Sequence, residues 1–199
     1  MPTILAHGAV GFTAQKLGLH RSRVGVLIAA ILLAMLPDVD ALFIGRIPYS
    51  APFGHRGFTH SLFFASLAGL SASILLRAAG WSRESFGTLT LFFALVIASH
   101  GFFDAMTDGG LGVAFFSPFS NHRYFFAWRP IPVAPLSAAG LMTSSGWHLI
   151  RWEVLLFGPF AIGAAILRGG FRFRVAVSRV CFAAGVAMWI VRLAGFELR

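Results

Sequence analysis

The sequence has too few charged residues to form a surface that faces water on all sides. Asp, Glu, Lys and Arg together make up 12% of its 199 residues, whereas a soluble domain averages about 25%. Hydrophobic residues make up 57%, and the mean hydropathy is +0.79. Because lipid must replace the missing polar surface, this composition excludes an ordinary soluble domain and predicts an integral membrane protein.

Cysteine is nearly absent, which excludes two kinds of site. Cys181 is the single cysteine, so neither an intrachain disulfide nor a thiolate zinc site can form. Met1–Leu19 lacks both a basic segment ahead of its apolar stretch and a small-residue cleavage motif, which predicts that no signal peptide is removed. The sequence also shows no internal repeat and no low-complexity segment.

The net charge of +9 comes from arginines that fall in short clusters between apolar segments. This placement suits anionic lipid headgroups and cytoplasmic loops better than a face that reads nucleic acid. We therefore expect membrane lipids as partners and expect no nucleic acid.

Apolar segments predict an all-α polytopic bundle with four to five membrane-embedded helices. The predicted helices are Ile4–Leu19, Val24–Leu36, Leu62–Leu76, Leu89–Phe103, Trp152–Leu167 and Val180–Val191. Val24–Leu36 is short and closed by Pro37, which favours a re-entrant or packed segment over a full span. Residues 47–59 and 115–135 predict loops, the second ordered at the membrane interface. We expect one domain, 1–199, with a motif core at 1–135 and closing helices within 150–195.

The basic residues sort onto two sides when these helices are threaded in order. The first side holds Lys16, Arg21, Arg23, Arg77, Arg83, Arg168, Arg172, Arg174 and Arg179. The second side holds Arg46, Arg56, Arg123, Arg129, Arg151, Arg192 and Arg199 in longer loops. Because basic residues in short loops set orientation, the first side is predicted to be cytoplasmic.

Histidine and aspartate residues recur where the predicted helices approach the second side. These residues are His7 in the first helix, Asp38 and Asp40 after the second, His55 and His60 before the third, and His100 and Asp104 near the end of the fourth. The independent placement of each segment gives one convergent cluster at one membrane face.

The spacing of His100 and Asp104 predicts a metal site. Residues four apart share one helix face, about 6 Å apart along the axis, as in the His-Glu-x-x-His helices of zinc enzymes. Imidazole and carboxylate ligands together suit Zn, Mn or Fe(II), with Zn first, whereas Mg or Ca prefer oxygen alone. An ionisable pair inside an apolar helix is costly, and this favours function over packing.

Other interpretations stay open for single residues. Asp38 can be a ligand or the cap of a turn. Asp40 and His55 can orient ligands instead of binding the ion. Arg56 can be a surface cation or can hold a substrate phosphate. No role is assigned to the interfacial histidines, which are His20, His122 and His148.

These motifs together resemble the inner-membrane metal-dependent hydrolases described as LexA-regulated. The motifs are His7, Leu-Pro-Asp38-Val-Asp40, His55-Arg-Gly-Phe-Thr-His60-Ser and His100-x-x-x-Asp104, and the resemblance covers about residues 1–135 with the Ser117-Pro-Phe and Arg123-Tyr-Phe-Phe stretches. It implies a multi-pass hydrolase of the bacterial inner membrane. The ligand order is also distantly similar to that of zinc-dependent phospholipase C, with Glu153 as a candidate late ligand, which indicates a phosphoester substrate.

We therefore expect a metal-activated water to attack an ester or phosphoester of a small-molecule or lipid substrate. Asp38, His60, His100 and Asp104 are the expected ligands, with His7 completing the site or binding a second ion. Asp40 or a bridging carboxylate is the expected base, with His55 beside it, and Arg56 neutralises developing charge. Two alternative functions are open. One is a metal or proton transporter that uses the same cluster, and the other is a membrane scaffold that needs no ligand cluster.

Overall fold

The computed structural model describes residues 1–19, 23–135, 137–168 and 174–195, and the predicted all-α fold is confirmed. The helices are α1 (Ile4–Gly18), α2 (Val24–Met35), α3 (Leu62–Ala78), α4 (Phe86–Ala105), α5 (Ala138–Leu141), α6 (Ser144–Arg168) and α7 (Arg174–Leu193). Two 3-10 segments, Leu36–Phe43 and Phe58–His60, lie between α2 and α3. Within the described ranges, β structure is limited to isolated bridges such as Val113 with Tyr124.

Four helical segments of the described chain are long and apolar enough to cross a membrane. They are Val24–Phe43, Phe86–Ala105, Ser144–Leu167 and Arg174–Leu193, with Leu62–Ala78 as a shorter apolar helix. This agrees with the expected four to five membrane-embedded helices, and the chain is a polytopic membrane protein.

Pro37 does not end the second span, contrary to the sequence-based expectation. The helix continues from α2 into the 3-10 segment Leu36–Phe43, and Pro37 lies in the first turn of that segment. Pro37 cannot donate to a carbonyl of the preceding turn of α2, and the carbonyl of Ala34, three residues before it, accepts from His100 Nδ1 at 2.7 Å instead. The resulting 20-residue segment is long enough to span, and it carries Asp38 and Asp40 near its end.

Helices that are neighbours in sequence pack as three antiparallel pairs, which are α1 with α2, α3 with α4, and α6 with α7. In addition, α1 packs against α6. Small residues bring the backbones close together, as is common between membrane helices. A Cβ atom on Gly11 would lie 2.4 Å from the carbonyl oxygen of Ala30, and one on Gly69 would lie 2.6 Å from the amide nitrogen of Ala94. Ser61 caps α3 by accepting a hydrogen bond from the amide of Phe64 at 3.0 Å.

Helix ends deviate from the predicted bounds most strongly near the carboxyl terminus. The sixth helix begins at Ser144 instead of Trp152, the seventh begins at Arg174 instead of Val180, and α5 was not predicted. Apolar composition marks the part of a helix that faces lipid, whereas polar turns at the interface extend the same helix beyond it. The side assignments of Arg21, Arg172 and Arg199, and the interfacial placement of His20, lie outside the described residues.

The segment after α4 folds across the end of the bundle where α1 begins and α4 ends. Its backbone pairs Val113 with Tyr124, and the amide of Phe126 donates to the carbonyl of Ala105 at 2.9 Å. Ile131 is fully buried in this segment. The predicted loop at 115–135 is therefore ordered and closes the bundle over the His and Asp residues.

Candidate metal centre

Four buried side chains from three chain segments meet at one point inside the bundle. Asp38 comes from the 3-10 continuation of α2, His60 from the turn before α3, and His100 and Asp104 from the last turns of α4. One ligand atom of each lies within 4.8 Å of those of the other three, and all four residues are buried. The structure thus brings together the four predicted ligands, and this group could hold a metal ion.

Three of the separations between ligand atoms are close to those that one small divalent ion requires. His100 Nε2 lies 3.2 Å from Asp38 Oδ1, and His60 Nε2 lies 3.4 Å from Asp104 Oδ2 and 3.8 Å from Asp38 Oδ1. Ligand bonds of about 2.0–2.1 Å in a tetrahedral site place the donor atoms roughly 3.3 Å apart. The backbone therefore needs no large movement for these atoms to coordinate one ion.

The same atoms have no hydrogen-bond partners, although they are buried. These atoms are Nε2 of His7, His60 and His100, both carboxylate oxygens of Asp38 and Asp104, and Nε of Arg56. Buried polar atoms in native proteins are nearly always paired, so each exception needs a reason. An ion bound between them would satisfy the imidazole and carboxylate atoms together, and the donor set therefore fits a transition metal.

Hydrogen bonds on the far side of two rings hold their Nε2 atoms toward the centre. His100 Nδ1 donates to the carbonyl oxygen of Ala34 at 2.7 Å, which leaves Nε2 as the acceptor nitrogen. His60 Nδ1 lies 3.0 Å from the hydroxyl of Thr59 and 3.2 Å from Asp40 Oδ2. Such contacts fix the tautomer and the ring orientation of metal-binding histidines.

The electrostatic field at His60 favours a cation. Burial disfavours a charged imidazole, but the nearby carboxylates of Asp104, Asp38 and Asp40 raise the pKa of His60 well above its usual value. The same carboxylates stabilise any positive charge beside Nε2. A proton and a divalent ion therefore compete for this position, as in known metal sites.

Asp40 organises the loop that carries His55 and His60. Its Oδ1 accepts from His55 Nδ1 at 2.6 Å, and its Oδ2 accepts from the hydroxyl of Thr59 at 2.6 Å and the backbone amide of Arg56 at 3.2 Å. Asp40, His55 and His60 form a second group that could bind metal. However, both Asp40 oxygens already have partners, and this favours an orienting role, one of the two open interpretations. Residues two apart on a 3-10 helix point in different directions, so Asp38 and Asp40 serve different neighbours.

His7 lies beside the four-residue group without joining it. Its Nε2 is 3.3 Å from Asp104 Oδ1, and its ring stacks on that of His100 with 3.6 Å between centroids. Asp104 therefore has one oxygen toward His7 and the other toward His60. This arrangement allows Asp104 to bridge two positions.

Arg56 is buried beside Asp104, which excludes the interpretation as a surface cation. Its Nε lies 3.1 Å from Asp104 Oδ2, while Nη1 donates to the carbonyl of Gly109 at 2.8 Å and Nη2 to the hydroxyl of Thr107 at 2.9 Å. The backbone of Arg56 is left-handed, with φ of 61°. A Cβ atom on Gly110, where φ is +91°, would lie 2.7 Å from Arg56 Nη1. The segment 107–110 thus packs closely around the Arg56 guanidinium.

Arg123 supports the site from outside, a role that the sequence did not predict. Its Nη1 donates to the carbonyl oxygen of His55 at 2.9 Å, and its Nη2 donates to that of Tyr49 at 2.8 Å. Its guanidinium also lies over the Tyr49 ring. Arg123 therefore ties the 115–135 loop to the loop that carries His55, although nothing in its local sequence indicates these partners.

The remaining candidates lie apart from the four-residue group. Both carboxylate oxygens of Glu153 accept hydrogen bonds from Thr3, one from its amide and one from its hydroxyl, so Glu153 links α6 to the start of α1. His148 accepts a hydrogen bond from the indole of Trp152 at 3.1 Å, and His122 is exposed beside Tyr124. Glu153 is thus engaged elsewhere and is not one of the ligand atoms that meet.

Comparison with known proteins agrees with this architecture. The profile of the YdjM inner membrane protein family matches residues 1–191. The inner membrane protein YbcI of Escherichia coli (strain K12) is 39% identical over 158 residues, which cover 78% of this chain and 90% of that protein. No solved structure matches the chain. With four helices able to span, the chain is a multi-pass inner membrane protein and belongs to the YdjM inner membrane protein family.

Proposed function

We propose that this protein is a membrane-bound metal-dependent hydrolase that cleaves an ester or phosphoester bond. The observation that carries the proposal is the set of buried, unpaired donor atoms shared by Asp38, His60, His100 and Asp104. Ionisable groups are expensive inside an apolar bundle, and such a cluster is by default a functional site. The resemblance of the motifs to a family described as metal-dependent hydrolases supports the same reaction class.

The donor set supports zinc first, with manganese and iron as alternatives. When bound, such an ion supplies Lewis acidity and makes water a nucleophile near neutral pH. The four ligand residues would hold the ion. The hydrogen bond from His100 to Ala34 and the contact of His60 with Asp40 fix the orientation of the two imidazole rings.

The remaining steps are proton transfer and the neutralisation of negative charge, and each is assigned to a residue of the cluster or beside it. All four ligand residues are buried, Asp38 at 7% exposure and Asp104 completely. Asp38 is one of the ligand residues, so Asp40 stays the candidate for the base, with its Oδ1 2.6 Å from His55 Nδ1. Arg56 balances Asp104 and lowers the energy of negative charge that develops on the substrate.

Metal content of purified protein tests this proposal first. Protein purified in detergent without chelator should carry about one or two transition-metal ions per chain, and Asp38→Asn and His100→Ala should lower that content. Glu84→Gln is the matched control, because Glu84 lies in the loop between α3 and α4 and is not part of the cluster. Hydrolysis of phospholipids and of bis(4-nitrophenyl) phosphate should then be measured with zinc and manganese supplied separately.

Two outcomes would overturn the proposal. Wild-type protein that holds no metal after gentle purification would remove its basis. Protein that holds metal, cleaves none of these esters and moves the ion across a liposome membrane would be a transporter instead.

A further inference from the structure

An apolar groove with a volume of about 320 Å³ lies between α1, α4, α6 and α7. It is lined by Ala9, Val10, Thr13, Ala14, Phe103, Phe157, Phe160 and Trp189. Three of its four walls are helices long and apolar enough to cross a membrane. The groove therefore lies where the bilayer is the surrounding solvent, and its volume is at the lower end of small-ligand sites, roughly 300–1,000 Å³.

The groove offers a ligand no polar partner. Its two polar side chains are already engaged, since the hydroxyl of Thr13 donates to the carbonyl of Ala9 at 2.7 Å and the indole of Trp189 donates to that of Leu156 at 3.0 Å. The other lining side chains are hydrocarbon. A head group or a polar small molecule would lose its hydrogen bonds to water there without replacement, so the lining selects a hydrocarbon chain.

The groove begins within one helical turn of the candidate metal centre. Val10 is three residues from His7 and shares its side of α1, and Phe103 directly precedes Asp104 on α4. From His7 to Ala14 the helix advances about 10 Å. The groove therefore runs from the end of the bundle that holds the cluster toward the middle of the bundle. A chain lying in it would place its attached head group at the end of the groove that is nearer to His7 and Asp104, which are themselves buried.

We propose that this groove binds the acyl chain of the substrate, which makes the substrate class a membrane lipid with a hydrolysable bond near its head group. This inference rests on the proposed hydrolase function and specifies its substrate. The chain is anchored by burial of hydrocarbon against Phe103, Phe157 and Trp189, while the cluster acts on the head group.

Photochemical labelling tests the occupant directly. The full-length protein is placed in liposomes of phosphatidylethanolamine and phosphatidylglycerol that contain a phospholipid with a diazirine on its acyl chain. Irradiation should label peptides that contain Phe103, Phe157 or Trp189 above other lipid-facing peptides. Ala14→Phe fills the groove, and labelling of these peptides should fall at least about fivefold because the chain clashes with the new ring. Ala187→Phe is the matched control, since Ala187 is exposed on α7 and does not line the groove.

Each result has a defined meaning. A second filling variant, Ala9→Leu, should also lower labelling, and it keeps the test valid if Ala14→Phe does not fold. Labelling that is even over all lipid-facing peptides, that survives both filling variants, or that is replaced by crosslinks to a second copy of the chain would overturn the inference. Metal content is measured on the same samples. Protein without metal but with groove labelling would refute the hydrolase alone, whereas protein with metal and without groove labelling would refute the groove alone.

Discussion

Each charged side chain of the cluster has a different set of partners, so single substitutions should separate their roles. Asp40 contacts His55, Thr59 and the amide of Arg56, whereas Asp38 has no hydrogen-bond partner. Asp40→Asn should weaken metal binding by about 10–100-fold, the usual effect of removing a group that orients a ligand. Asp38→Asn should lower it further. Titration of both proteins with zinc against a competing chelator measures the difference, and equal losses would show that Asp40 is itself a ligand.

Arg56 should be required for stability as well as for chemistry. Arg56→Ala leaves the buried carboxylate of Asp104 without its guanidinium at 3.1 Å. Breaking a buried ion pair from one side costs about 3–5 kcal/mol, so thermal unfolding in detergent should occur at a clearly lower temperature. Arg46→Ala is the control, because Arg46 is exposed. Equal melting temperatures for the two variants would contradict the buried ion pair.

The sequence predicts which four His and Asp residues come together, but it predicts their supporting contacts poorly. The spacing of His100 and Asp104 follows from helix geometry, and threading the spans brings Asp38 and His60 to the same end. The position of the Arg56 guanidinium depends on the left-handed backbone of Arg56 and on the segment 107–110. Neither feature has a periodic signal in the sequence. The hydrogen bonds of Glu153 to Thr3 join residues 150 positions apart, which composition and spacing cannot reveal. The roles assigned to the cluster remain predictions.

At the scale of the helices, close backbone contact sets which glycines can be replaced. A Cβ atom on Gly11 meets the carbonyl oxygen of Ala30 at 2.4 Å, whereas one on Gly87 meets nothing within 4 Å. Both glycines are helical. Gly87→Ala, in the first turn of α4, should therefore stabilise the protein by at most about 0.5–1 kcal/mol through helix propensity. Gly11→Ala should destabilise it, because α1 and α2 must move apart and lose contact area.

Melting temperatures of the two variants in one detergent measure this contrast. A stabilising Gly11→Ala would mean that α1 and α2 are not packed as closely as described. The result bears on the metal centre as well, since α1 carries His7 and α2 leads into Asp38.

At the scale of the whole molecule, the metal centre lies at one end of the bundle and the loop between α3 and α4 at the other. α3 begins beside His60 and α4 ends at Asp104, so residues 79–85 must lie at the opposite end. That short loop is bordered by Arg77 and contains Arg83, which predicts a cytoplasmic location. The metal centre is then predicted to face the outer side of the inner membrane.

Cysteine labelling in intact cells tests this orientation. Cys181 is replaced by serine, and single cysteines are introduced at Phe53, Phe119 and Trp81, all of which are exposed. A membrane-impermeant maleimide should label the cysteines at 53 and 119 in intact cells, because both loops lie at the metal-centre end. The cysteine at 81 should react only after the membrane is permeabilised. The reverse pattern would place the centre on the cytoplasmic side, and labelling of all three positions in intact cells would contradict the described helix order.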